Sequence, residues 1–358
     1  MLPRSTAKLR PELNNSTGNP GSVASQRENA RMIRTLTSLA ALALAAALSG
    51  GPAGAQTYPS KPVTIIVPLA AGTGMDTVVR LYGEKLQAVL GRPVVVENRP
   101  GAALMLGAQA TASAAPDGHT MGVLTSGPMA IGPVLYKKIT FDPQKDFVPI
   151  SLYVKSPLVL VVDPALPIKS VSELIEYAKK SPTPLTYSTP GAGAFQHLST
   201  EFMAQRFGLK LTHVPYKSTP QSVTDIAAGH VNFGFAEAGA SLPLIRDGKL
   251  RALAVSSTTP LPTLPDVPPF AVAAKAPGFE AVSWHVLVAP AATPKDIVER
   301  LHREMTKIMS DAEMQKRVAN IGLVPVNPAS VAETQKYIAS EREKWGKLVR
   351  DLGLAGTQ

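Results

Sequence analysis

The run Val63-Thr64-Ile65-Ile66-Val67, four apolar β-branched residues with one threonine among them, predicts a short buried strand that Pro68 ends. Two alanines then lead into Gly72-Thr73-Gly74, and from Thr77 the chain VVRLYGEKLQAVL carries apolar residues at helical spacing as far as Gly91, a fitting C-terminal cap. The unit is strand, glycine loop, helix, with Asp76 expected as the N-cap. Pro93 to Glu97 predicts a second strand and Met105 to Ser113 a helix of small residues. Thr120 to Leu124 predicts a third strand, running into Thr125-Ser126-Gly127-Pro128. Strands that end in small, polar or glycine residues are the signature of a parallel α/β sheet that holds ligands beyond those ends.

Further along, one pattern recurs. Leu158 to Pro167 (LVLVVDPALP) precedes a predicted helix Val171 to Lys180, and Val286 to Pro294 (VLVAPAATP) precedes one starting at Lys295. Both read strand, Pro-Ala, short gap, Pro, helix. Between them lie predicted strands at Leu185 to Ser188, Lys210 to Val214, Val231 to Phe235 and Leu250 to Ser256, alternating with helices at Phe195 to Phe207, Pro220 to Ala228 and up to Asp247. The expected organisation is therefore two lobes: residues 56–158 with 284–358 form the first, and 159–283 the second. A proline-rich stretch, Thr259 to Pro277, serves as the irregular return path. Two chain crossings make a hinge, and the cleft between the lobes is the expected place for a small ligand.

A glycine loop at a helix N-terminus exposes backbone N–H groups at the positive end of the helix dipole, which suits a carboxylate or phosphate. A tight turn that binds nothing has the same pattern. Thr77 stands where a dinucleotide fingerprint needs its third glycine, so that class is excluded. A second glycine loop, Gly191-Ala192-Gly193-Ala194, precedes the helix at Phe195, and two such loops facing one cleft favour an anion site. Lys217 closes another strand end, and Glu237 stands at a further strand-to-helix junction.

Composition changes the picture mainly at the N-terminus. The 358-residue chain has no cysteine and a formal charge of +10. Residues 1–30 are polar and without periodicity, read as disordered or as the product of an upstream start codon. Arg31 and Arg34, the apolar run Leu36 to Leu48 and Ala53-Gly54-Ala55 read as a secretory signal with its cleavage site, so the mature chain is expected to begin at Gln56 and to be periplasmic. Removing residues 1–55 takes away six Lys/Arg and two Asp/Glu, leaving thirty against twenty-four. That mild excess, spread along helix faces without interleaved aromatics, argues against nucleic acid.

The residues then carry a resemblance. Tyr58-Pro59-Ser60-Lys61-Pro62, Pro68 to Asp76, Val94 to Ala102 (VVVENRPGA), Ala115-Pro116-Asp117-Gly118, Leu135-Tyr136-Lys137-Lys138, His213-Val214-Pro215-Tyr216-Lys217, Gly248 to Val255 (GKLRALAV), Leu264-Pro265-Asp266-Val267-Pro268 and Lys344-Trp345-Gly346 follow one another in order. Over essentially the whole mature chain this resembles the periplasmic substrate-binding receptors of tripartite tricarboxylate transporters, the Bug family. The resemblance implies a type II periplasmic-binding-protein fold and an organic carboxylate held largely by backbone N–H groups and ordered water. It further implies membrane transporter subunits as partners; a monomer with no cofactor, no metal and no catalytic residue is expected.

Carried over by motif, ligand contacts fall on Gly72, Thr73, Gly74 and Asp76, on Thr125 and Ser126, and on Gly191, Ala192, Gly193 and Ala194 with His197 behind them. The chain departs from the family where Met75 stands in place of a threonine, and where Ala194 and Phe195 follow the second loop's glycines. It departs again where Ala236 and Glu237 replace an acidic residue and an asparagine. Met75, Ala194, Phe195 and Ala236 lead to the expectation of a less polar pocket, in which an aryl or alkyl body packs on Met75 and Phe195. Glu237 stays among the candidate ligand contacts. Two other readings remain open: a sensor partner with the same fold, and a secreted hydrolase using Ser126 or Ser188. The hydrolase lacks both a G-x-S-x-G elbow and an H-E-x-x-H pair.

Overall fold

The structure is a computed structural model that describes Met32 and residues 58–358. Apart from Met32, the expected leader, with its cleavage site and Gln56, lies outside the described residues. The first stretch of chain forms β1 (Val63–Val67), α1 (Gly74–Leu90), β2 (Val94–Asn98), α2 (Met105–Ala112) and β3 (Thr120–Thr125). A π-helical turn, Gly127–Ile131, then leads into the short α3 (Gly132–Leu135). A 16-residue strand β4 (Phe147–Val162) carries the chain into α4 (Val171–Lys180), β5 (Leu185–Thr189), α5 (Phe195–Phe207), β6 (Leu211–Pro215), α6 (Thr219–Ala227), β7 (Phe233–Glu237), α7 (Ala238–Arg246) and β8 (Arg251–Val255). The short α8 (Phe270–Ala273) precedes β9 (Val282–Pro290), and α9 (Lys295–Met309), α10 (Ala312–Asn320), β10 (Val324–Pro325) and α11 (Val331–Asp351) complete the order.

Two half-sheets share β4 and repeat one plan. In the first, β2, β1 and β3 run parallel, β9 enters antiparallel beside β3, and the front of β4 lies on the far side of β9 with β10 beyond it. In the second, β6, β5 and β7 run parallel, the rear of β4 enters antiparallel beside β7, and β8 lies beyond it. The change of partner falls between two adjacent residues, since Pro157 pairs with Val282 of β9 whereas Leu158 pairs with Glu237 of β7. The recurring strand–proline–helix pattern in the sequence marks β4 with α4 and β9 with α9, the two strands that enter a parallel triad antiparallel.

Three differences from the sequence reading have physical causes. β4 begins at Phe147, although Pro149 and Pro157 make its front half look unlike a strand. The first proline sits at a register shift beside β9 and the second at the change of sheet, places where a missing N–H costs nothing to the ladder. α1 begins at Gly74, and its N-cap is Thr73, whose Oγ1 accepts from the Asp76 N–H at 3.3 Å. Asp76 therefore lies inside the first turn and is not the cap. The proline-rich return path is well packed, with Leu261 and Phe270 fully buried and α8 within it.

Candidate ligand-binding site

Loop one is organised by Asp76. Its carboxylate accepts from the Gly72 N–H at 2.9 Å, from Asn98 Nδ2 at 2.9 Å and from Arg80 Nε at 3.0 Å, and a second Arg80 nitrogen lies 3.0 Å away. Burial works to raise this carboxyl, and the donors Arg80, Gly72 and Asn98 outweigh it and hold it below the ordinary range. Gly72 takes a positive φ of 82° that a β-carbon would strain. Asp76 thus shapes the loop from behind, and Thr73 is committed to capping. The exposed face of the loop belongs to Gly72 and Gly74.

Thr125 and Ser126 stand at the end of β3, next to loop one's strand β1, and both are buried. Thr125 Oγ1 accepts from the Gly127 N–H at 3.3 Å, and Ser126 Oγ lies 2.8 Å from Ser283 Oγ at the start of β9. Ser188, the other serine considered as a nucleophile, bonds Ser222 at 3.2 Å.

A column of aromatic rings supports loop two. His197 and His213 stack at 4.2 Å, and Tyr187 stacks on His213 at 5.1 Å. His197 Nδ1 accepts from the Gly193 N–H at 3.0 Å, and His213 Nε2 lies 2.6 Å from Thr189 Oγ1, which itself accepts from the Gly191 N–H. Desolvation lowers both imidazoles, His213 to about 4 with the His197 ring adding to the effect, so both are neutral at neutral pH. His197 accordingly works on the loop's backbone. Gly193 has φ 74°, and a β-carbon on it would collide with Leu135 Cδ2 at the end of α3, so this loop lies directly against the first half of the chain. α5 then starts at Ala194 with no side-chain cap. Ala192 is exposed, while Gly191, Gly193 and Ala194 are half-buried.

Glu237 ends β7 beside β5 and leads α7, giving it no cap bond. Gln196 Nε2 reaches its Oε1 at 3.5 Å. Glu237 is exposed at this strand end.

The structure thus joins Gly191, Gly193 and His197 in one cluster, and Gln196 with Glu237 beside it. Among the described residues no side-chain hydrogen bond links these to the Gly72–Asp76 loop. The apolar-pocket expectation loses Met75 and Ala236, which are buried, while Ala194 and Phe195 are half-buried. Met75 is 5 % exposed and packs into the core beneath α1, and Ala236 is 1 % exposed inside another core cluster. Phe195 lies edge-on against Trp345 at 4.9 Å. Large apolar residues in a helix's first turn anchor the helix here: Met75 is withdrawn from solvent, and half-buried Phe195 packs one edge on Trp345. Sequence reading missed Asn98, Arg80, Gln196, Leu135 and Ser283; the spacing Thr73-x-x-Asp76, a capping signature, was the available clue to how loop one is held. A recess of about 260 Å³ between α5 and α11, lined by Phe202, Gln205, Trp345 and Leu348, lies apart from both glycine loops.

Two α/β half-sheets of matching plan, exchanged strands and glycine loops at the carboxyl ends of the parallel strands define a two-lobed solute-binding receptor. Residues 78–354 match the family described as "Tripartite tricarboxylate transporter family receptor", and the chain belongs to that family, which includes the Bug proteins. Protein BugT of Bordetella pertussis is 35% identical over 311 residues, which cover 87% of this chain and 95% of BugT. Rpa4515 of R. palustris, solved with adipate, superposes with a TM-score of 0.75 at 32% identity over 83% of this chain and 99% of its own. MatC of Rhodopseudomonas palustris, solved with bound malate, gives 0.71 at 29% identity over 82% and 100%. Among the described residues no helix is long and apolar enough to cross a membrane.

Proposed function

We propose that this protein is a periplasmic receptor that captures a small organic carboxylate between its lobes and delivers it to the membrane subunits of a tripartite tricarboxylate type transporter. The observation that carries the reading is the likeness, over 83% and 82% of this chain at 32% and 29% identity, to receptors solved with adipate and with malate. The local geometry supports it. α5 opens without a side-chain cap behind Gly191-Ala192-Gly193, and a carboxylate there meets N–H groups at a positive helix end. Gly72 and Gly74 present exposed backbone in the other lobe, and Thr125 lies at the adjacent strand end. In this reading Asp76 and His197 hold the two loops in shape and the backbone binds. A ligand that touches both lobes favours the closed arrangement by its differential affinity for it.

Thermal shift of the purified mature chain against a panel containing adipate, malate and citrate tests the reading, because a ligand of the folded state alone raises the midpoint with concentration. At least one aliphatic acid is expected to do so. A panel of short mono-, di- and tricarboxylates that leaves the midpoint unmoved at millimolar concentration refutes it.

A further inference from the structure

Leu104 is out of place by every local rule. It follows Ala102 and Ala103 at φ 46° and 49° and itself takes φ 77°, so three left-handed residues succeed one another and none is glycine. The same leucine is the N-cap of α2 and makes no side-chain cap bond. Glycine or asparagine would suit both the backbone and the cap, so the leucine carries two local costs. Core packing does not account for it. Leu104 is half-buried, yet among the described residues it belongs to none of the three buried apolar clusters and packs against none, whereas its neighbour Met105 packs against one.

The position of the turn gives this side chain something else to face. It follows β2, at the carboxyl end of the parallel strands. A β-carbon on Gly127 would lie 3.5 Å from Thr125 Oγ1 and 3.8 Å from Leu104 Cδ1, so Leu104 stands one glycine away from the end of β3. Gly107 of α2 approaches Pro68 so closely that a β-carbon would collide, which seats the helix opened by this turn on the start of loop one. The polar side chains nearby are engaged with protein: Thr73 with Ala70 and the Asp76 N–H, Asn98 with Leu69 and Asp76, Ser126 with Ser283. Ala102, Ala103 and Leu106 are exposed beside Leu104 and bring no polar side-chain atom. This rim therefore offers backbone N–H groups and hydrocarbon.

We propose that Leu104 determines specificity: the ligand is a carboxylate with a plain hydrocarbon body, and that body lies on Leu104 beside Gly127 while the charged end is held by the glycine loops. The inference rests on the carboxylate reading above and narrows it to acids without hydroxyl groups on the carbon skeleton. Hydrocarbon laid on Leu104 leaves water, which favours binding. A hydroxyl in the same place gives up its water and finds no partner, so the residue works by both attraction and rejection.

Titration calorimetry of the mature chain and its Leu104→Gly and Leu104→Asn variants with hexanoate, phenylacetate, adipate, malate, tartrate and citrate decides the matter. Both replacements suit a left-handed N-cap, and thermal midpoints without ligand establish that folded proteins are compared. The wild-type protein is expected to bind at least one of the first three acids about tenfold or more tightly than any of the three hydroxy acids. In both variants that acid is expected to lose about fivefold or more, with a less negative heat-capacity change of binding, while the hydroxy acids move by less than about twofold. Tightest wild-type binding of a hydroxy acid overturns the inference while the carboxylate reading stands. Hydrocarbon-acid affinity unchanged in both variants overturns it too, and so does an equal loss for both kinds of acid, since Leu104 would then act only through the shape of the turn. No binding of any of the six acids overturns the carboxylate reading itself.

Discussion

Replacing Glu341 by alanine is expected to be among the most damaging single changes outside the glycine loops. Glu341, on α11, is 8 % exposed, and one of its oxygens, Oε2, accepts from Trp345 Nε1 at 2.9 Å and from Trp284 Nε1 at 3.2 Å. Both indoles are fully buried, so neither can turn to water when the acceptor is lost. A hydrogen bond to a charged group contributes about 1.5–3 kcal/mol, and two such losses come to about 3–6 kcal/mol. Lys344, 3.6 Å from the other oxygen, is one-third exposed and adds little. Glutamine retains an amide oxygen with two lone pairs and loses only the charge assistance, so Glu341→Gln is expected to cost about 1–2 kcal/mol. The chain has two tryptophans, and both are these partners, so urea unfolding followed by intrinsic fluorescence reads the site directly. A Glu341→Ala variant within about 1 kcal/mol of wild type refutes the reasoning. A glutamine variant as unstable as the alanine one would assign the effect to lost charge, against the acceptor argument.

Three further outcomes follow from the geometry. Leu104 holds a left-handed φ of 77° after Ala102 and Ala103 at 46° and 49°; glycine relieves about 1–2 kcal/mol of such strain, but it loosens the unfolded chain and gives up a half-buried leucine, so Leu104→Gly is expected to stay within about 1 kcal/mol of wild type by urea denaturation. Asp76→Asn is expected to lose about 2–4 kcal/mol at pH 7 by weakening bonds from Arg80 and Gly72. Because the folded Asp76 carboxyl is depressed, its contribution is present above the unfolded value and lost as pH falls through the folded one, so the two proteins converge in acid. His213 and buried His285 are both lowered to about 4 from 6.5, chiefly by desolvation. The unfolded chain binds protons first, so each imidazole removes up to about 1.4 kcal/mol of stability per pH unit as pH falls between 6.5 and about 4; His285→Asn should flatten that slope in a pH series.

Much of the fold was legible because local chemistry and tertiary role coincide. β1 is buried on both faces and reads as a β-branched run, and Gly91 ends α1 in the left-handed conformation that its position in the sequence implies. The front of β4 was hidden because its prolines break strand propensity, and only the register shift and the change of sheet make room for them. The role of Asp76 was misplaced because Thr73 and Asp76 are both competent caps three residues apart, and choosing between them requires Arg80 and Asn98, one turn and one strand away. The direction of Met75 and Phe195 was out of reach for a related reason. Periodicity names a face of a helix, and which face looks at a core depends on the neighbour: for Phe195 that neighbour is Trp345, 150 residues further on.

The two crossings and the proposed site occupy the same neighbourhood. β4 leaves one half-sheet at Pro157 and enters the other at Leu158 with no break, and Leu158 faces Glu237 across the ladder. The return crossing begins at Val282, and the next residue, Ser283, bonds Ser126 directly after Thr125. The polar groups at the ends of β3 and β7 are therefore each within a residue or two of the positions where the chain changes lobe. A small molecule held between them acts close to the pivot, where a short displacement of the contact corresponds to a larger rotation of the distant lobe surfaces. In the proposed reading, a few hydrogen bonds of differential strength, each about 1 kcal/mol, would suffice to shift the population between open and closed, and the ligand would need no large apolar surface to do it. That fits loops built from glycine backbone, with Met75 and Ala236 withdrawn into the cores.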